Sequence, residues 1–380
     1  MAESTDIPSQ FPVLENLIYL NHAGVGPLPR RSRDVAARFL DENLNYGALY
    51  YPQWLRTEQE LKRKLCSLLN AESPDSIALL KNTSEALSVI AHGLDWKAGD
   101  NIVFSADEFP SNRIVWESLA RCGVEARVVP LNPADPEAAL LAAMDRNTRL
   151  LSTSSVQYAS GLRMDLQRLG EACRKRDILF CIDAIQSLGA LPFDAQAVHA
   201  DFVAADGHKW MLGAEGLAVF YCHPRHLERL RLHQYGWHMV EHAGDFNRSD
   251  WQPAANARRF ECGSPNMLGI HVLDASLGLL LEYGLENIAR NIDRNTRYLI
   301  ENTKIMQDLT VLSPLAAPRR SGIFTFACPI PPATLYSRLL ARNIVCAARG
   351  GGIRFSPHFY NSEQQLAEAL QTLQDLLAEG

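Results

Sequence analysis

The chain has 380 residues, 47% of them apolar, and Lys+Arg 37 against Asp+Glu 43 gives a formal charge of −6. This is the composition of a folded globular protein with room for one large domain or two, and it excludes a disordered or collagen-like chain. No Lys/Arg-rich run offers the concentrated positive face that nucleic acid requires. No apolar run approaches the roughly 20 residues that span a bilayer, and eight cysteines with no CxxC pair argue against a disulfide framework or a structural zinc site.

At the N-terminus, Met1 to Phe11 lacks the basic and apolar regions of a secretion signal, so a cytoplasmic location is expected. Apolar residues at helical spacing predict helices over Asp34–Leu40 and Trp54–Leu69. Short apolar runs then alternate with amphipathic segments. The sequence predicts a strand at Ser76–Leu80 and a helix at Glu85–Gly93, a strand at Asn101–Phe104 and a helix at Asn112–Arg121, and a strand at Glu125–Val129 followed by a helix at Pro136–Asp145. Leu150–Ser154, the helix Leu166–Arg176, and the strands Ile178–Asp183, Asp201–Ala205 and Gly216–Tyr221 continue the rhythm. Strands separated by helices imply an α/β fold with a mainly parallel sheet of about seven strands. Gln234–Arg258 reads as an irregular connection, and Met267–Gln307 as a long helix bent near Gly284. Strands at Gly322–Ala327 and Ile353–Ser356, with helices at Pro332–Arg342 and Glu363–Leu377, predict a smaller α+β domain. The expected division is a large domain over 16–255 and a small one from 1–15 and 256–380.

In an open parallel sheet, ligands bind beyond the carboxyl ends of the strands, so polar residues directly after apolar runs are informative. Asp183 ends one such run; alone it reads equally as a helix cap. Lys209, in Gly207-His208-Lys209-Trp210, follows another, where a lysine is ordinarily a surface residue with its stem along apolar neighbours. Asn82-Thr83-Ser84-Glu85 has capping-box spacing and opens a helix, which is either a plain cap or an anion site. A lysine for a Schiff base, a carboxylate for a pyridine nitrogen and a helix N-terminus for a phosphate are together the parts that pyridoxal phosphate needs.

With these motifs the chain resembles the class V aminotransferase family of fold-type I pyridoxal-phosphate enzymes, which includes cysteine desulfurases, selenocysteine and cystine lyases, isopenicillin N epimerase and kynureninase. The likeness runs from Leu20-Asn21-His22-Ala23-Gly24 to Ser356-Pro357-His358-Phe359-Tyr360-Asn361. It implies that Lys209 is the Schiff-base lysine and the acid/base at the substrate Cα, that Asp183 pairs with the pyridine nitrogen, and that Gln186 bonds the ring hydroxyl. Thr83, Ser84 and His208 would reach the phosphate, and Phe109 would stack on the ring where many members carry His. Gln157 and Arg354 would hold the α-carboxylate of an amino acid substrate, the arginine bidentately. Ser264, in Gly263-Ser264-Pro265-Asn266, matches a loop that crosses to the neighbouring subunit's phosphate, which implies a homodimer.

Two departures stand out. Asp206 replaces a Ser found in several members; an ionised carboxylate donates nothing to a phosphate, so Asp206 is left out of the phosphate set. The segment Val345 to Arg354 is too short for the loop that carries the persulfide cysteine of desulfurases, and Cys346 reads as a buried strand residue. C–S lyase or epimerase chemistry is therefore expected, with transamination or a non-catalytic scaffold as alternatives. A nicotinamide oxidoreductase fits less well, because Gly350-Gly351-Gly352 precedes a strand instead of opening a helix. His238 and His242 are spaced i,i+4 but lack the intervening Glu of a HExxH site, so no metal is expected and their segment reads as an active-site edge.

Overall fold

The computed structural model describes residues 6–306 and 308–379. The expectations placed on residues 1–5, and on Gln307 as the end of the long helix, lie outside the described residues. Among the described residues thirteen strands are formed: β1 (Ile18–Tyr19), β2 (Ile77–Leu80), β3 (Asn101–Ser105), β4 (Glu125–Val129), β5 (Thr148–Ser154), β6 (Leu179–Asp183), β7 (Phe202–Asp206), β8 (Ala218–Cys222), β9 (Thr310–Val311), β10 (Phe324–Ala327), β11 (Ile344–Val345), β12 (Ala347–Arg349) and β13 (Gly352–Phe355).

Seven of them make the main sheet, in the order β2-β8-β7-β6-β5-β3-β4. Only β8 runs antiparallel to its neighbours; the rest are parallel, as helical crossovers require. Both faces are buried, and the period of two shows along each strand. In β6, Leu179 and Cys181 join the core with Leu87, Ile90 and Trp116 on one face. Phe180 and Ile182 join the core with Leu61, Leu65 and Leu277 on the other. The antiparallel course of β8 was not legible, because β7 and β8 are joined through the turn that holds Lys209 and not through a helix.

The small sheet, β12-β13-β10-β9, is antiparallel and is covered by helices Pro332–Leu340 and Glu363–Ala378, the latter opened by a capping box of Ser362 and Gln365. The expected bend at Gly284 is a full break: Met267–Tyr283 and Leu285–Thr303 meet at 82°, with Gly284 at φ +92, a conformation that glycine adopts without steric cost. Among the described residues no single helix is long and apolar enough to cross a membrane. Gln234–Arg258 forms no helix or strand apart from the start of a short 3-10 turn at Ala257, in keeping with the sequence reading.

Strand β1 pairs with β11 of the C-terminal part, while helix Met267–Tyr283 buries Ile270, Leu273 and Leu277 in the core of the main sheet. The N-terminal segment thus links both parts. Leu20 exchanges backbone hydrogen bonds with Val345 (2.8 Å) and Ser356 (2.7 Å), and the Gly26 N–H donates to the His208 carbonyl (2.6 Å). Gly26 backs so closely onto the Lys209 carbonyl that any side chain there would collide with it.

Candidate active site

The carboxyl ends of β3, β5, β6 and β7 and the helix after β2 deliver polar residues to one edge of the sheet, as the parallel topology dictates. Lys209 sits half-buried in the turn after β7, its carbonyl accepting from the Leu212 N–H (3.1 Å). Its Nζ lies 5.6 Å from the centre of the Phe109 ring. Burial pulls the ammonium down to a pKa of about 8; Asp183 and Asp206 oppose that fall and Arg354 adds to it. Asp183, at the end of β6, is buried and accepts from the Ile185 N–H (3.0 Å). Burial raises its carboxyl to about 7, with the charges of Glu108 and Asp206 pushing the same way and Lys209 opposing.

At the start of helix Thr83–Gly93, Asn82 caps Glu85 N–H through its side chain (2.8 Å). Thr83 donates from its N–H (3.3 Å) and its hydroxyl (3.1 Å) to Asp206 Oδ2, and Ser84 donates to the Ser111 hydroxyl (2.8 Å). His208 is the neighbour of Lys209, and burial lowers its pKa. Ser264 is exposed. It rims a cleft of about 270 Å³ with Lys81, Glu85 and Gly216, beside the start of helix Thr83–Gly93 but without a hydrogen bond to Thr83, Ser84 or His208.

Arg354, on β13, is 3% exposed and donates to the Tyr158 carbonyl (2.7 Å) and Asn21 Oδ1 (3.3 Å). No carboxylate of the described residues pairs with it, and burial lowers its guanidinium to about 10. Gln157 is fully buried and donates its amide to Glu108 Oε1 (3.0 Å). Its Oε1 has no partner, and the second N–H of its amide is not used by Glu108, so it can offer a ligand both an acceptor and a donor. Gln186 has both ends of its amide engaged, accepting from Trp210 Nε1 (2.9 Å) and donating to the Ala23 carbonyl (3.1 Å). It clamps the Lys209 turn to the N-terminal segment and keeps one N–H for a ligand.

Glu108 was missed in the sequence. It is buried without a cation and accepts from the Ser154 N–H (2.8 Å), the Ser154 hydroxyl, Asn112 (2.8 Å) and Gln157. The only hint was an acid beside Phe109 at a strand end. His238 pairs with Glu261 (3.5 Å) and not with His242. Lys62 binds both Glu58 (3.1 Å) and Glu261 (2.8 Å), so these buried acids already hold a cation of the chain itself. Cys346 is 2% exposed and burial pushes its thiol up to about 12. The segment after it is a tight β12–β13 hairpin, with Arg349 opposite Gly352 and both Gly350 (φ +61) and Gly351 (φ +80) in the left-handed region that such a two-residue turn requires.

Nine buried side-chain atoms among the described residues lack a hydrogen-bond partner. Four of them, Gln157 Oε1, Asp206 Oδ1, His208 Nδ1 and Arg354 Nε, belong to this one site. Native proteins rarely leave such groups unpaired, and a concentration of them marks the place of a polar ligand. The set is a nucleophilic amine of lowered pKa, a buried acid, a helix N-terminus with two hydroxyls, and an unpaired arginine.

Comparison with known proteins agrees with the fold. A profile of the class-V aminotransferase family matches residues 45–367, and the chain belongs to that family. It is 28% identical over 404 residues to a probable cysteine desulfurase of Methanothermobacter thermautotrophicus, covering 99% of this chain and 98% of the relative. Its fold is similar to the apo cysteine desulfurase of Thermococcus onnurineus NA1, with a TM-score of 0.89, 20% identity and complete coverage of both chains. The cystine C-S lyase C-DES, solved with its product cysteine persulfide, is similar at a TM-score of 0.89 and 24% identity, over 96% of this chain and 99% of that one.

Proposed function

We propose that this chain is a pyridoxal-phosphate enzyme that cleaves the carbon–sulfur bond of a cysteine-type amino acid, with Lys209 carrying the cofactor. The observation that carries this reading is the convergence of four unpartnered buried polar atoms around a lysine whose pKa is pulled down to about 8. When bound, pyridoxal phosphate supplies a ring that withdraws electrons from the substrate Cα.

The residues divide the remaining work. Thr83 and Ser84 hold the phosphate at the helix start, where N–H groups and the helix dipole favour an anion. Asp183, raised to about 7 by burial, would share a proton with the pyridine nitrogen. Phe109, whose ring lies beside Lys209 Nζ, would stack on the cofactor ring, and the free N–H of Gln186 would be available to the ring hydroxyl. Arg354 takes the α-carboxylate, a fork-to-fork pair that compensates its buried charge. Gln157 Oε1 accepts from the substrate or cofactor. With the cofactor bound, Lys209 Nζ would be the group that takes the Cα proton; cysteine and water would give pyruvate, ammonia and sulfide, the electron pair of the Cβ–S bond leaving with sulfur.

The buried, high-pKa thiol of Cys346 and the two-residue turn after it support direct release of sulfur without transfer to an enzyme cysteine. A homodimer is supported by the exposed Leu44 (81%) and Leu49 (65%) near the end of helix Arg30–Tyr46 and by the exposed Ser264; full turnover by a sedimenting monomer would contradict it. The test of the reaction is turnover with cysteine, cystine and selenocysteine, assaying pyruvate, ketoacid and sulfur products. Pyruvate with released sulfur is expected; ketoacid release with conversion to the pyridoxamine form would replace the lyase reading with transamination.

A further inference from the structure

We propose that Asp206 makes cofactor binding proton-linked: docking of the phosphate at the start of helix Thr83–Gly93 is accompanied by uptake of one solvent proton onto the Asp206 carboxylate. This deepens the pyridoxal-phosphate reading and rests on it.

The geometry is that of an anion site already holding an internal anion. The Asp206 carboxylate accepts from both the N–H and the hydroxyl of Thr83, donors that a phosphate would use. Its second oxygen, Oδ1, is buried with no partner, and so is Nδ1 of His208 two residues on. An ionised carboxylate beside a phosphate dianion repels it strongly where water is excluded. The neutral acid keeps Oδ2 as an acceptor for Thr83 and turns Oδ1 into an O–H donor aimed at the incoming oxygens. The groups facing Asp206 set the balance. His208 and Lys209 on its own turn favour the carboxylate when they are charged, Asp183 on β6 and burial favour the acid, and Thr83 on the helix contributes uncharged donors that favour the carboxylate. Burial prevails and raises the Asp206 pKa, which favours the acid. Asparagine, or serine, presents a donor at this position without needing a proton.

The experiment is an absorbance titration of apo-protein with pyridoxal phosphate across about pH 6 to about pH 9, for the wild type, Asp206→Asn and Asp206→Ser. Titration of the free cofactor is common to all three, and any effect of the lost carboxylate on Lys209 is read separately with pyridoxal, which engages Lys209 but not the phosphate site. The expected result is a wild-type affinity that falls about tenfold more per pH unit than that of either variant, with the variants binding at least as tightly at neutral pH. With pyridoxal, which lacks the phosphate, the difference in slope should vanish. Equal slopes for the wild type and both variants, weaker binding by the variants at all pH values, or a difference that persists with pyridoxal would overturn the assignment of Asp206. Failure of the wild type to bind pyridoxal phosphate at any pH would overturn the cofactor reading as well.

Discussion

Replacing Arg354 by Met separates the cost of burying a charge from its use. Arg354 is 3% exposed, has no acidic partner among the described residues, and titrates at about 10 against an ordinary 12.5 because of burial. At about 1.4 kcal/mol per pKa unit, the folded protein gives up roughly 3 kcal/mol to keep the guanidinium charged at neutral pH. The sign follows from linkage: a base whose folded pKa is depressed destabilises the fold below that pKa, and the penalty is relieved as pH rises from about 10 toward 12.5. Met removes this penalty but also the hydrogen bonds to Tyr158 and Asn21, each about 1 kcal/mol. The apo-protein should therefore unfold within about 1 kcal/mol of wild type or be more stable. Loss of a bidentate carboxylate pair removes about 3–4 kcal/mol of substrate binding, a fall of about 10²–10³ in kcat/KM. Chemical denaturation and steady-state kinetics on the same preparations give both numbers. A variant that is destabilised by more than about 3 kcal/mol yet keeps its kcat/KM would refute the reasoning and leave Arg354 a structural residue.

Three further outcomes are expected. Because Lys209 must be neutral to attack the cofactor and burial sets its pKa near 8, the rate of cofactor uptake by apo-protein should rise about tenfold per unit below pH 8 and level off above it; stopped-flow absorbance checks this, and a rate still climbing toward pH 10 would mean an ordinary exposed lysine. Glu108→Gln places an N–H among four donors and should cost about 2–4 kcal/mol in urea unfolding, whereas a cost below about 0.5 kcal/mol would show that the Glu108 network carries no strain of its own. Cys346→Ala should leave sulfur release within about twofold of wild type, since a thiol with a pKa near 12 is not a nucleophile; complete loss with an intact fold would restore a persulfide role.

Much of this was legible because parallel-sheet strands are continuous apolar runs whose ends must be polar: Asp183, Lys209 and Thr83 stand out for that reason alone. Their common purpose emerged only from the chemistry that they share. What could not be read depends on contacts between distant segments. Strand β1 is two residues long and exists through its equally short partner β11; β9 is as short. Glu108 looks like any loop acid until Ser154, Asn112 and Gln157 surround it. Nor does the sequence show that one N–H of Gln157 is held by Glu108 while its Oε1 is left without a partner. Asp206 was set aside as a non-donor, and its position on Thr83 is what makes it informative.

The central claim is that Lys209 carries the cofactor, and covalent trapping tests it most directly. Holo-protein is reduced with borohydride, digested and mapped by mass spectrometry. The account predicts a single pyridoxyl adduct on the peptide containing His208-Lys209-Trp210, absent in Lys209→Ala. An adduct on any other lysine, or retention of the reducible chromophore in the Lys209→Ala protein, would contradict it.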